Sequence, residues 1–252
     1  MSGVHLVMPM AGHGSRFTKA GFDKPKPMLR LYQQPLFWWA VESVRREVPL
    51  RSLTFVVLRE HVDRHRIDRQ IRDRYPDASL VVLREPTAGA LVTAMEGCRD
   101  VPTTGPVIFN DCDHAFDGRS LAAAIPQLSD GASGLLCHFR SQDPAYSYAA
   151  YSSDGLLERT VEKQVISDLA IAGAYGFKDR DTFLGHAASY LETCPYDEPF
   201  MSGVYNTMVA AGGEVRGALL DRHISFGTPA EYAAAADQFD AFHDWPLTET
   251  CR

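Results

Sequence analysis

Three cations and two carboxylates are the residues of this 252-residue chain whose spacing could do chemistry. Arg16, Lys24 and Lys26 follow a Gly12-x-Gly14 turn, with prolines separating the lysines, and Asp111 and Asp113 flank Cys112. A glycine loop after an apolar strand exposes backbone N–H groups, and its bare backbone lets a polyanion come close. Fixed cations a few residues later supply the neutralisation that a triphosphate needs. Ala11, Gly12, Gly14 and Ser15 are therefore the candidate nucleotide cradle, and Arg16 and Lys26 the candidate catalytic cations. Two carboxylates at i and i+2 directly after a strand suit a hard divalent cation that also takes phosphate oxygens. An Asx turn with solvated acids is the plain alternative for the same segment.

The glycine order is not that of the familiar nucleotide loops. Phe17 stands where the dinucleotide pattern has its third glycine, and no G-K-[ST] follows to make a P-loop. A bare G-x-G is equally what any strand-to-helix turn uses for its positive φ. The whole string M-A-G-x-G-S-R-F followed by P-K-P-x-L is more specific. It resembles the sugar-phosphate nucleotidyltransferases, the nucleotide-sugar pyrophosphorylases that include glucose-1-phosphate thymidylyltransferases and related capsule-type cytidylyltransferases.

The resemblance implies roles for later segments. Of the Asn110-Asp111-Cys112-Asp113 run it makes Asp113 the Mg²⁺ ligand, with Asp111 at a position often filled by Gly or Asn. Glu162-Lys163 followed by Gly173-Ala174-Tyr175 matches an E-K then G-x-Y pattern, in which the Glu meets the acceptor and the Lys its phosphate. Gly173 and Glu198 join these as acceptor-binding candidates, with Ser202, Tyr205 and Asn206 from the same EPFMSGVYN stretch; Tyr175 reads as packing. Thr87 and Gly89 resemble the loop that faces the base. One departure stands out: where the family places an acid in D-x-G-T, this chain reads Ser225-Phe226-Gly227-Thr228. Asp221, four residues earlier, is the nearest substitute, so the metal set is Asp113 with Asp111 or Asp221 as further candidates. Taken without the resemblance, Glu-Lys at a strand end is a solvated ion pair, and small polar residues near a helix start cap it.

The elements that must hold these residues alternate. Apolar runs at Val4–Met8, Leu53–Leu58, Leu80–Leu83, Val107–Phe109 and Gly134–Phe139 predict strands. Between them Leu36–Glu47, Glu60–Tyr75, Ala90–Arg99 and Ser120–Leu128 predict helices. This is the pattern of a mostly parallel sheet covered on both faces, with ligands at the strands' carboxyl ends. Farther on, Tyr146–Tyr151 and Leu156–Glu162 predict strands joined by the Ser153-Asp154-Gly155 turn, and Ala170–Phe177 another. Thr228-Pro229-Ala230-Glu231 is a capping box opening a terminal helix to about Phe242. The fold expected is α/β: a Rossmann-like mixed, mostly parallel sheet with helices on both faces and a small β-rich acceptor-binding lobe. It is read as one domain over 1–252, with about 1–140 serving the nucleotide and about 141–252 the acceptor. His61 and His65, four apart, share a helix face and so have zinc spacing. The charge density around them favours a solvated helix with an Ile67, Ile71 and Tyr75 stripe. Trp38 and Trp39 read as packing.

Composition narrows the function. A net charge of −7 argues against a general nucleic-acid binder. No apolar stretch reaches the roughly 20 residues that span a bilayer, and Val4–Met8 is too short for a signal-peptide core. Five scattered cysteines without C-x-x-C spacing fit reduced thiols and a cytoplasmic location. The reading is an enzyme that transfers NMP from an NTP to a phosphorylated acceptor and releases pyrophosphate, with Mg²⁺ as cofactor. The acceptor is a sugar 1-phosphate or a small non-sugar phosphate, with CTP one candidate donor, in surface or capsule polysaccharide synthesis. A homo-oligomer is left open. Two other readings compete: a metal-dependent GT-A-type glycosyltransferase using Asp111 and Asp113, and a non-catalytic nucleotide-sugar-binding module.

Overall fold

The computed structural model describes residues 3–238. The first part runs β1 (Val4–Pro9), α1 (Ser15–Lys19), β2 (Arg30–Leu31), β3 (Gln34–Pro35), α2 (Leu36–Arg45), β4 (Leu50–Leu58), α3 (Arg59–His65), α4 (Ile67–Arg74), β5 (Ser79–Leu83), α5 (Ala90–Cys98), β6 (Val107–Asn110), β7 (His114–Phe116), α6 (Arg119–Ala124) and α7 (Pro126–Ser129). The second part adds β8 (Gly134–Arg140), β9 (Tyr148–Tyr151), β10 (Leu157–Val161), β11 (Leu169–Phe177), α8 (Arg180–Thr193), α9 (Met201–Ala210), β12 (Val215–Leu219), β13 (His223–Ser225) and α10 (Pro229–Ala236). Cys251 and the expected run of the last helix to Phe242 lie outside the described residues.

One nine-stranded mixed sheet carries both parts. β5, β4, β1 and β6 pair in parallel, and β11 then pairs antiparallel with β6 and β8. β12 closes that side parallel to β8, and the β9–β10 hairpin joins β11 at Ala170. The β-rich lobe is thus continuous with the main sheet. The central strands are buried on both faces, so their side chains alternate between two cores. Leu6, Met8, Phe55 and Val57 pack with α2 residues such as Phe37 and Trp39. Val7, Val56, Leu58 and Phe109 pack on the other face with α5, α8 and α9. That period of two along each strand sorts every apolar residue to a helix layer.

Two expected helices are broken, each for a local reason. The Glu60–Tyr75 run divides at Arg66, which takes φ 56° and caps α3 before α4 begins. Ser120–Leu128 divides at Pro126, which cannot donate an N–H within a helix but suits a helix start. The capping box at Thr228–Glu231 forms in full. Its helix, α10, reaches back to the start of the chain: Tyr232 packs edge-on against Phe17 and Phe22, with centroids 6.1 and 5.8 Å away. Tyr232 also donates to the Arg30 carbonyl at 2.5 Å, and Tyr32 to that of Ala235 at 3.1 Å. Trp39 is fully buried and donates to the Leu31 carbonyl at 2.9 Å. Among the described residues no helix is long and apolar enough to cross a membrane, and no cysteine is paired.

Candidate active site

Two clefts meet over the carboxyl ends of β1 and β6. The first, of about 580 Å³, is framed by the glycine loop and by the turn before α5. Gly14 has φ +59°, and a Cβ there would stand 3.3 Å from the Cβ of Lys26. Its bare backbone therefore serves both the left-handed turn and the approach of the lysine. Across the cleft, the Thr87 hydroxyl donates to the Gly89 carbonyl at 2.8 Å and lies 2.7 Å from that of Thr93. A Cβ on Gly89 would come within 3.0 Å of the Pro199 carbonyl and Glu198 Cγ. Ala11, Gly12, Gly14, Thr87 and Gly89 all line this cleft, and Lys26 is the one Lys or Arg in its described lining.

Lys26 stands at the junction. Its ammonium lies 2.7 Å from Asp113 Oδ2, and the two side chains remain 23% and 26% exposed, so a ligand reaches both. Burial would lower the lysine and raise the acid. The charge of each on the other prevails, holding Lys26 above and Asp113 below its ordinary range. Asp111 behaves oppositely: burial and the neighbouring Asp113 charge push it up to about 7 against the pull of Lys26. Its N–H donates to the Gly173 carbonyl at 2.9 Å. Gly173 has φ +74°, and a Cβ on it would stand 2.9 Å from Asp111 Oδ2. A Cβ on Gly227 would stand 2.7 Å from Asp113 Oδ2. Both carboxylates thus open onto space that a side chain would fill. Hard oxygen donors at such an opening fit a divalent cation shared with substrate oxygens. Among the described residues no three His, Cys, Asp or Glu side chains make a metal cage by themselves.

Behind the carboxylates runs a buried polar chain. The Asn110 amide donates to the Ala40 carbonyl at 2.9 Å and presents its oxygen to His114 Nε2 at 3.0 Å. His114 Nδ1 then accepts from His223 Nε2 at 3.1 Å. Burial holds both imidazoles neutral, at about 4 for His114 and about 3 for His223.

The second cleft, of about 330 Å³, shares Asp111, Asp113, Glu162 and Tyr175 with the first. Glu162 is held from two sides: the Ser147 hydroxyl donates to Oε2 at 2.6 Å, and that of Ser202 to Oε1. Each oxygen keeps a free lone pair for a ligand donor. Lys163 turns with φ 53°, and its ammonium lies 5.5 Å from the centre of the Phe200 ring. Glu198 and Gly173 line the same cleft, as does Glu231, which accepts from the Tyr146 hydroxyl. Five carboxylates face two fixed cations here, Arg16 and Lys163.

Several expected residues stand elsewhere. Arg16, exposed on α1, lines the second cleft and not the first. Ser15 starts α1 outside both clefts, beside a depression bounded by His61 and His65. Asp221 is exposed, accepts from Ser120 at 3.4 Å and lies outside both clefts, so it does not join Asp113. Tyr205 is buried, donating to the Leu135 and Gly176 carbonyls, and Asn206 pairs with the Thr160 backbone. Both are structural. Tyr175, read as packing, lines both clefts. The segment around His61 and His65 carries the expected exposed ion pairs, Glu60–Arg64 and Asp68–Arg72, and buries Ile67, Ile71 and Tyr75; His61 is buried with them, which lowers its basicity. Ser147 and Glu231 were not picked out as site residues; the capping box was a signal for the second, and nothing in the sequence marked the first.

No family model and no curated protein matches the chain. Solved structures do. A nucleoside-diphosphate-sugar pyrophosphorylase from Vibrio cholerae RC9 is 25% identical, with a TM-score of 0.80 over 92% of this chain and 100% of that one. The inositol-1-phosphate CTP transferase from T. maritima is 14% identical, with a TM-score of 0.79 over 100% and 99%. A UTP-bound UGPase from Acinetobacter baumannii is 16% identical, with a TM-score of 0.72 over 97% and 95%. The chain has the fold of sugar-phosphate nucleotidyltransferases, as its N-terminal motifs led one to expect.

Proposed function

We propose that the chain is a nucleotidyltransferase: an oxygen of a phosphorylated acceptor attacks the α-phosphorus of an NTP, the new P–O bond forms, and pyrophosphate leaves. The observation that carries this reading is the meeting of two clefts at Asp111, Asp113 and Lys26, which lets two anionic substrates lie end to end. A phosphate is already ionised at neutral pH, so no general base is needed, and catalysis is positioning and charge stabilisation. Backbone of Ala11–Gly14 cradles the triphosphate, and Thr87 and Gly89 bound the base. Lys26 leaves Asp113 for the α-phosphate, where negative charge builds. Arg16, an exposed side chain on α1, neutralises phosphate charge from the acceptor side. Lys163 holds the acceptor phosphate, and Glu162, fixed by Ser147 and Ser202, takes an acceptor hydroxyl or amine. Asp113, with Asp111, would hold Mg²⁺, which screens the repulsion between the two anions when bound.

About 1–140 then serves the nucleotide and about 141–252 the acceptor, within one cytoplasmic catalytic domain. The acceptor is a sugar 1-phosphate or a small polyol phosphate. CTP is a candidate donor, a reading supported by the likeness to a CTP transferase acting on a non-sugar phosphate, and the product would feed surface polysaccharide synthesis. The glycosyltransferase alternative finds no support among the similar structures, which are pyrophosphorylases and transferases of nucleotides to phosphates.

The test is a matrix of five NTPs against sugar 1-phosphates and small phosphorylated alcohols, with pyrophosphate release as readout. Acceptor-dependent release with one NTP identifies reaction and substrates together. A folded protein that binds nucleotide yet releases no pyrophosphate across the matrix would sink the reading.

A further inference from the structure

We propose that Glu231 supplies a further metal-facing carboxylate of this site, beside those of the Asp111–Asp113 turn and in place of the acid that the chain lacks at Ser225. The inference rests on the nucleotidyl-transfer reading above. Its ground is the way the last strand and helix are fastened to Asp113. β13 pairs antiparallel with β7, setting Ser225 opposite His114. The Phe226 N–H donates to the Asp113 carbonyl at 2.8 Å. The Gly227-Thr228 corner is therefore laid against the aspartate.

Gly227 separates two carboxylates. A Cβ on it would stand 2.7 Å from Asp113 Oδ2 and 3.6 Å from Glu231 Oε2. Those two distances together cap the gap between the oxygens, and the space between them is the space a side chain would take. Glu231 arrives there through the capping box: the Thr228 N–H donates to Oε2 at 2.8 Å, and the Glu231 N–H donates to Thr228 Oγ1 at 3.2 Å. The Tyr146 hydroxyl donates to Oε1 and fixes the other end. Each oxygen uses one lone pair on these bonds and keeps another. In an ordinary capping box the acid faces solvent and does nothing further. Here the helix starts inside a cleft whose opposite wall is Asp113.

The alternative substitute is spent elsewhere, since Asp221 lies outside both clefts on Ser120. Ser225, a neutral alcohol, offers no formal charge. Asp113, just before β7, and Glu231, in the first turn of α10, would then hold the cation together with phosphate oxygens.

The experiment titrates Mn²⁺ alone into the full chain and reads free Mn²⁺ by electron paramagnetic resonance. Glu231→Gln should weaken uptake about tenfold or more, by analogy with loss of an orienting ligand group. Its thermal midpoint should stay near that of the wild type, because the Gln side-chain oxygen still accepts from Thr228. Asp113→Asn should weaken uptake at least as much, and Asp221→Asn should leave it unchanged. Ser225→Asp added to Glu231→Gln should restore it, which would show that the two positions are interchangeable. Undiminished uptake by Glu231→Gln, with uptake lost in Asp113→Asn, would overturn the role of Glu231 and leave the transfer reading intact. Wild-type protein that takes up no Mn²⁺ would overturn the role of Glu231, while the transfer reading would still stand or fall on pyrophosphate release.

Discussion

The two clefts are built from different materials. Beyond the carboxylates and rings that it shares with the second, the first is walled by the small residues of the glycine loop and of the turn before α5, with Lys26 at its inner end. The second is walled by ionisable and aromatic side chains, each pinned by a neighbour: Ser147 and Ser202 on Glu162, Phe200 under Lys163, Tyr146 on Glu231. A backbone wall reads features common to all nucleotides, whereas pinned side chains read one partner's hydroxyls and charges. On the proposed reading, generic binding and specific binding fall on opposite sides of Lys26.

Acid should separate the two sides most strongly. The second cleft is backed by His114, held neutral by burial at about 4, and His223 at about 3. Their folded values lie below the unfolded one near 6.5, so in between the unfolded chain binds more protons. Their contribution is complete above about pH 6.5 and is lost as pH falls toward 4. Hydrogen exchange at pH 5 against pH 7 should show protection lost in β7 and β13, which carry these histidines, before β4 and β5, which carry none. Equal loss in both regions would erase the contrast.

Lys26→Ala comes next. Losing the cation at the junction should cost about 2–4 kcal/mol of transition-state stabilisation, as for one oxyanion donor, with circular dichroism unchanged. Near-normal turnover would move the chemistry away from the boundary. Lys163→Met should act on one side alone, raising the KM for acceptor about tenfold through loss of a charged hydrogen-bond donor while leaving that for NTP unchanged, since Lys163 lines only the second cleft. Gly89→Ala is the mirror case and the smallest. Its Cβ would press on the Pro199 carbonyl and on Glu198 Cγ, each at 3.0 Å, so NTP binding should weaken by about 1 kcal/mol, with a smaller rise in acceptor KM through Glu198. If either substitution shifts both constants equally, the clefts do not divide the labour.

The same contrast governs what the sequence let one read. The glycine loop and the parallel strands are local patterns: Val4–Met8 and Leu53–Leu58 announce themselves by composition, and both formed. The second cleft is assembled from segments far apart in the chain. Ser147 meets Glu162 only because the β9–β10 hairpin closes, and Ser202 reaches it from α9. No spacing along the chain encodes such a meeting. Helix α8 was missed because its apolar residues make a weak stripe, although Asp179 caps it by accepting from the Thr182 N–H at 2.8 Å. The break at Arg66 went unseen for another reason: a positive φ at a charged residue leaves no mark on hydrophobic period.

The cluster of Phe17, Phe22 and Tyr232 ties the first loop of the chain to its last described helix. On a ribosome these rings are made far apart in time. At about 5–20 residues per second, Tyr232 emerges on the order of ten to forty seconds after Phe17. Through that interval the glycine loop, complete in its own residues, lacks the ring that fastens it. Nucleotide affinity should therefore appear late in synthesis and abruptly, when the end of the molecule closes on its beginning.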